Sequence, residues 1–302
     1  DMSRLQVPGM PINPDEISPD DWAKMPSPNN DGKYHTLAEV ASGIAIAYAL
    51  LMLMNRKAIM LNVRGPVGEF TSENLKRQAL KMTSGYRGAW TYMVQPAFAR
   101  AVELGGIQGM TYADELDFGR VYAHQIYDYI NDTSADALVA AYQNQLTRKW
   151  SPQIAWARAA QGYGLDSRGM SQYIKLLGEG EGREIVPTAA KDFAVRALQK
   201  RGERIGYNES WRAQELGKTI VWLNQYKNGM LPPDTKREWL TAEDERVCPV
   251  CAPMDHVQVP ITEQFELPDG NKIWAPGVHP NCRCSVKLSY AEFKHEYTGF
   301  SK

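Results

Sequence analysis

Thiols and one imidazole crowd the last quarter of the chain. Cys248-Pro-Val-Cys251 is followed, after residues 252–278, by His279-Pro-Asn-Cys282-Arg-Cys284, and these two clusters hold all 4 cysteines of the 302 residues. A Cys-x-x-Cys turn presents two thiolates at one point. An extended Cys-x-Cys puts both thiols on one face, because side chains alternate along a strand. Two such clusters joined by a loop can converge on one tetrahedral cation, and thiolate with imidazole is the donor set of zinc. Cys248, Cys251 and Cys284 are the first expected ligands, with His279 and Cys282 competing for the fourth place. The competing chemistry is redox: a disulfide between two of these thiols, or a redox-active Cys-x-x-Cys. No βαβ pattern surrounds the motif to support the latter. A structural zinc would supply roughly 10–16 kcal/mol of apparent binding free energy, as much as the whole stability of many domains.

The elements that must position these residues are mostly helical. Residues 1–35 are rich in Pro, Asp and Asn without a sustained period, and read as an extended arm. They lack the apolar run of a signal peptide. Thr36-Leu-Ala-Glu39 has capping-box spacing, so a helix is expected from there to about Asn62. Its core, Ala41–Met54, is the most apolar stretch of the chain; its 14 residues fall short of the roughly 20 that span a bilayer, so a buried core helix is expected. After a loop at Arg64–Gly68, helix is expected from Ser72 to Leu104 with a kink or break at Pro96, ended by Gly105-Gly106. Further helices are expected from about Thr111 to Ile130, from a cap at Thr133 or Ser134 to Lys149, from Ser151-Pro152 to about Gly162 or Gly164, and from Ser167 to Leu177. Gly178–Gly182 reads as a hinge, and Pro187 opens a long helix to about Asn228, interrupted near Gly202 or Gly206. Short strands are expected at 237–241, 257–261 and 272–274.

The fold class that follows is mainly α: a helical body with a small α+β, zinc-clamped C-terminal module. The expected division is an arm over 1–35, a body over 36–182 and a module over 183–302. Composition is globular, with 43% hydrophobic and 23% charged residues. A net charge of −1 gives no global pull toward DNA or an anionic membrane. Few, clustered cysteines are unlike a disulfide-stapled secreted domain.

The segment Trp239-Leu-Thr-Ala-Glu-Asp-Glu-Arg-Val-Cys-Pro-Val-Cys251, then Val259-Pro-Ile261, Phe265 and His279-Pro-Asn-Cys-Arg-Cys284, resembles the C-terminal signature of phage Mu F-like head morphogenesis proteins. The preceding stretch, Arg201–Arg212, is similar to that family's helix, so the resemblance covers about Ala189–Leu288. It departs at His256, where the family more often has Gly after the Asp. The resemblance implies a minor head (capsid) protein of a tailed phage, structural rather than enzymatic. It implies several copies near the portal vertex, contact with portal and major capsid proteins, and a part in DNA packaging or ejection. The implied location is the virion, with the host cytoplasm during assembly.

Three other readings compete. Asp255-His256-Val257 matches a fragment of zinc-containing His-Asn-His nucleases, but His256 follows Cys251 too closely for the intervening strand; a surface turn residue is the plainer reading. Ala160, Tyr163, Gly164, Leu165, Met170 and Tyr173 fit helix-turn-helix spacing, with Arg168, Gln172 and Lys175 as candidate DNA contacts, and fit an ordinary αα corner equally. Lys191, Arg196, Lys200, Arg201 and Arg204 form a basic face that would meet DNA phosphates or an acidic portal surface, or simply be solvated. The aromatic stretch Tyr122–Tyr142 is expected in the core or at a subunit interface.

Overall fold

The computed structural model describes residues 36–61, 71–104, 112–178, 185–279 and 281–289. The expected arm, the loop at 64–68, Gly105-Gly106 and the Gly-rich run at 179–182 lie outside these. The chain is mainly α-helical, and among the described residues the small strands lie in its C-terminal part, where the Cys/His cluster sits. The described residues divide into two compact units, those up to 101 with 112–210 and those at 102–104 with 211–289. The sequence reading began the module at 183. The units instead divide inside one long helix, whose two ends pack into different cores.

In the first unit, α1 (Leu37–Leu61), α2 (Ser72–Thr83), α3 (Arg87–Glu103), α4 (Tyr112–Thr147), α5 (Pro152–Ala160) and α6 (Ser167–Gly178) are joined by the start of α7 (Thr188–Lys227). The capping box forms in both directions: Thr36 N donates to Glu39 Oε2 at 3.1 Å and Glu39 N to Thr36 Oγ1 at 3.2 Å. Ser151 caps α5 with Pro152 in its first turn. By length and composition α1 could cross a membrane, since the apolar window extends over Leu37–Met60. Here its Val40, Ile44, Ala47, Tyr48, Leu51, Asn55 and Ile59 are buried at helical spacing, the pattern of a core helix.

Several expected helix boundaries move. Pro96 lies inside α3, and the break falls earlier, at the Ser84–Tyr86 3₁₀ turn. There the Thr83 hydroxyl donates back to the Ala79 and Leu80 carbonyls, and the Thr83 carbonyl accepts the Tyr127 hydroxyl. Thr133 and Ser134 cap nothing, because α4 runs through them. Their hydroxyls donate to carbonyls one turn back and serve as acceptors for Arg201.

The long helix α7 is not interrupted at its glycines. A Cβ on Gly206 would stand 2.1 Å from the Ala41 carbonyl oxygen, and one on Gly202 would stand 3.0 Å from that of Ala45. Glycine is there so that α7 can lie against the backbone of α1, which offsets its helix-propensity cost of about 1 kcal/mol. The residues singled out for a helix-turn-helix are packed inside: Tyr163, Leu165, Met170 and Tyr173 are buried, while Arg168, Gln172 and Lys175 are exposed.

In the second unit, β1 (Lys236–Leu240), β2 (Gln258–Pro260) and β5 (Ser285–Ser289) make an antiparallel sheet ordered β2-β1-β5. β3 (Phe265–Glu266) and β4 (Lys272–Ile273) form a separate hairpin. Trp239 pairs with Val286, and Leu240 with Ser285. Its core is small: Trp239, Met254, Phe265, Leu267 and Val286 packed with Cys251, Cys282 and Cys284. Replacing Gly206 by Ala is expected to force α1 and α7 apart and to cost about 1–3 kcal/mol, the usual range for overpacking. Denaturant unfolding of the variant against the parent measures this.

Candidate metal centre

The three-stranded sheet brings the two thiol clusters together. β1 leads through a loop to Cys248, and β5 begins directly after Cys284, so the β1–β5 register fixes the ends of both clusters. The Cys248–Cys251 turn closes through Cys251 N to Cys248 O at 3.0 Å and Ala252 N to the same oxygen at 2.9 Å. Cys251 N also lies 3.3 Å from Cys248 Sγ, a backbone donor aimed at a thiolate position. The second cluster turns at Asn281, whose φ of 60° suits asparagine, with Cys282 N donating to His279 O at 3.2 Å.

All five expected donors gather into one cluster that could hold a metal ion. Cys248, Cys251 and His279 form one triplet and Cys251, Cys282 and Cys284 another, the ligand atoms of each lying within 4.8 Å of one another. His279 Nε2 lies 3.0 Å from Cys248 Sγ and 3.2 Å from Cys251 Sγ. The Cys251 and Cys282 sulfurs are 4.0 Å apart, twice the length of an S–S bond, and all four thiols are free. Cys251, Cys282 and Cys284 are buried; Cys248 and His279 are half-buried. His279, which the spacing left in competition, therefore sits with the first cluster as closely as any sulfur does.

The sulfurs polarise one another. The Cys284 thiol beside it, with backbone N–H groups of Cys284 and Gly277, holds Cys282 down to about 5 despite burial. Cys251 is pushed up to about 12 by burial and then by Cys282, and Cys284 is raised by Cys282 and by burial. Cys282 is thus the thiol most easily ionised, and burial opposes ionisation of Cys251 and Cys284. Trp239 Nε1 is a buried donor without an oxygen or nitrogen acceptor and faces Cys284. A thiolate-rich centre fits such a donor.

Sequence reasoning missed the scaffold behind the cluster. Successive turns of α7 hold backbone groups of the C-terminal segment: Trp211 Nε1 donates to Cys284 O at 3.0 Å, Val286 N donates to Glu215 Oε2 at 2.9 Å, and Thr219 Oγ1 donates to Trp274 O at 3.4 Å. The spacing 211, 215, 219 was a legible signal, one face of a helix. Glu215 is fully buried, raised by that burial and steadied by Lys218 at 2.6 Å. Arg237 is also buried. It donates to the Trp274 and Glu263 carbonyls and lies over the Phe265 and Trp274 rings, and burial lowers it to about 10.

His256 stands away from the sulfurs, at the turn into β2. Its φ of 57° is left-handed, which explains the glycine expected there. The cost, about 1–2 kcal/mol for a side chain, is met by a contact glycine cannot make: His256 Nδ1 reaches Glu238 Oε1 at 2.7 Å. Glu238 also meets Gln258 Nε2 at 3.0 Å and Lys287 Nζ at 3.2 Å. Glu243, Asp255 and His256 come within ligating distance of one another, but Asp255 Oδ1 is occupied by the Thr241 N–H and hydroxyl, both at 2.9 Å.

The basic face loses one member. Arg201 is buried, and its guanidinium donates to Gly164 O at 2.7 Å and to the Ser134 and Thr133 hydroxyls, so it is not available to DNA. Lys191, Arg196, Lys200 and Arg204 are exposed, and Arg204 pairs with Asp166 at 2.7 Å. The chain matches no family model, no curated protein and no solved structure.

Glu238 raises the His256 pKa, and His256 lowers that of Glu238. The raised histidine stabilises the fold fully below its unfolded value of about 6.5, and loses that effect as pH rises through the folded value. The depressed carboxylate contributes above about 4.3 and loses its effect at lower pH. His256→Ala is therefore expected to destabilise most between about pH 4.5 and 6.5 and least at pH 8, read by thermal unfolding of both proteins across pH.

Proposed function

We propose that the chain is a minor head protein of a tailed phage, of the Mu F-like kind, with a structural zinc fixing its C-terminal module. The observation that carries this is the gathering of Cys248, Cys251, His279, Cys282 and Cys284, the donors of the motif on which the resemblance rests. Zinc is the cation that favours thiolate with imidazole in a closed tetrahedral shell. Cys248, Cys251, His279 and Cys282 would be its ligands. The nitrogen of His279 lies within 3.2 Å of both knuckle sulfurs, and Cys282 is the sulfur of the second cluster that lies 4.0 Å from Cys251 Sγ. Cys284 would then remain a neighbouring thiol. The metal's role is structural rather than catalytic, because four protein ligands leave no open position.

On this reading the protein works by docking. The metal-fixed module and the exposed helical faces would meet the portal protein and the major capsid protein, in several copies per virion. Lys191, Arg196, Lys200 and Arg204 would be the residues nearest packaged DNA. Synthesis and assembly would occur in the host cytoplasm, and the finished protein would belong to the phage head.

Co-expression with the portal protein of the same phage tests this. The parent chain is expected to co-purify with portal, and Cys251→Ser, which removes the donor shared by both triplets, to lose zinc and most of the captured portal. Absence of portal from the parent preparation would overturn the head-protein reading. Undiminished capture by a zinc-free Cys251→Ser would remove the role given to the metal. Cys282→Ser is expected to lose zinc and Cys284→Ser to retain it.

A further inference from the structure

We infer that Asp244 and Arg283 are the positioning pair of the metal centre, an external latch that holds the two donor clusters in register before the ion arrives; this builds on the zinc site proposed above. Arg283 lies between Cys282 and Cys284. The two cysteines are buried while the Arg283 side chain is about one-third exposed, the alternation expected of an extended segment. Its guanidinium meets the Asp244 carboxylate in a two-pronged pair, Nη1 to Oδ2 at 2.7 Å and Nη2 to Oδ1 at 2.6 Å. That fork-to-fork geometry fixes direction as well as distance, which a lysine ammonium cannot do.

Asp244 is the right residue to receive it, because it also builds the turn that delivers the first cluster. Its Oδ1 accepts Arg246 N at 3.0 Å, and its carbonyl accepts Val247 N at 3.1 Å. Cys248 follows immediately. One carboxylate thus shapes the approach to Cys248 and holds the residue flanked by Cys282 and Cys284. Arg246 adds a second cation, Nη2 to Oδ2 at 3.3 Å, and the Arg283 guanidinium, first among the causes, holds the Asp244 carboxyl far below the usual carboxylate range.

Both side chains are partly exposed, so the pair's own worth to folding is small. Its effect falls on the ion. Without it, the β1–β5 pairing still holds the outer ends of both clusters, but the loop from Leu240 to Cys248 loses its tie to the second cluster and the metal must meet more of that loop's ordering cost itself. A pair of this kind contributes up to about 1 kcal/mol, so its removal weakens metal binding by up to about fivefold.

The test uses the full chain with zinc and cobalt as probes. Zinc affinity is measured by competition with a chromophoric chelator for the parent, Asp244→Asn, Arg283→Gln, Arg283→Lys and the Asp244→Asn/Arg283→Gln double variant. Each neutral single variant is expected to bind about 2–5-fold more weakly, and the double variant no more weakly than either single, because both act through one contact. Arg283→Lys should fall between. The thiolate-to-cobalt absorption per bound ion should be unchanged, since the donors are intact, and the helical circular dichroism signal should match the parent. A parent that binds zinc, with single variants that bind as tightly or losses that add in the double, overturns the latch alone. A parent that binds neither metal overturns the latch together with the zinc site.

Discussion

The C-terminal module is built around thiols from two separate chain segments held at one point. Cys251 belongs to both ligand triplets, and it is also part of the hydrophobic core with Trp239 and Phe265. Placing cysteines inside so small a core gives the module two uses of the same atoms. As thiols they pack like small apolar groups. As thiolates they repel one another and need a cation, which is why burial and mutual proximity drive the shifts at Cys251 and Cys284. A core of this size is short of buried apolar area, and a structural ion is the usual remedy in such modules.

Around that point the chain spends unusual polar interactions on fixing backbone. Trp211, Glu215 and Thr219 hold Cys284, Val286 and Trp274 from one face of α7. Arg237 holds the 263 and 274 carbonyls with no carboxylate partner among its observed contacts, sandwiched against two rings. Glu215, Thr219 and Arg237 are buried, and a buried polar bond is costly if left unmade. Together they specify where the loops between strands lie, which hydrophobic packing alone leaves loose. The first unit uses the same device, with Arg201 tying the Gly164 carbonyl to the α4 hydroxyls.

Local signals carried the helix starts and the donor set. The capping box at Thr36, the Ser151-Pro152 start and the Cys/His spacing each depend on a few neighbouring residues, and each has its counterpart in the structure. What the chain does at Thr133, Gly202 and Gly206 was not legible, because the reason lies on another helix. Thr133 continues a helix because Arg201 uses its hydroxyl, and the glycines continue one because α1 needs the space. Likewise β5 escaped notice: Ser285–Ser289 becomes a strand by pairing with β1, which lies more than forty residues earlier in the chain. Arg201 read as a surface cation because its acceptors come from residues 133, 134 and 164, which no window of sequence shows together.

Metal analysis of the purified full chain, with free thiols counted on the same sample, addresses the central claim most directly. One zinc per chain, with thiols that become reactive when a chelator removes it, is the expected result. A metal-free protein whose cysteines are paired with one another would contradict it.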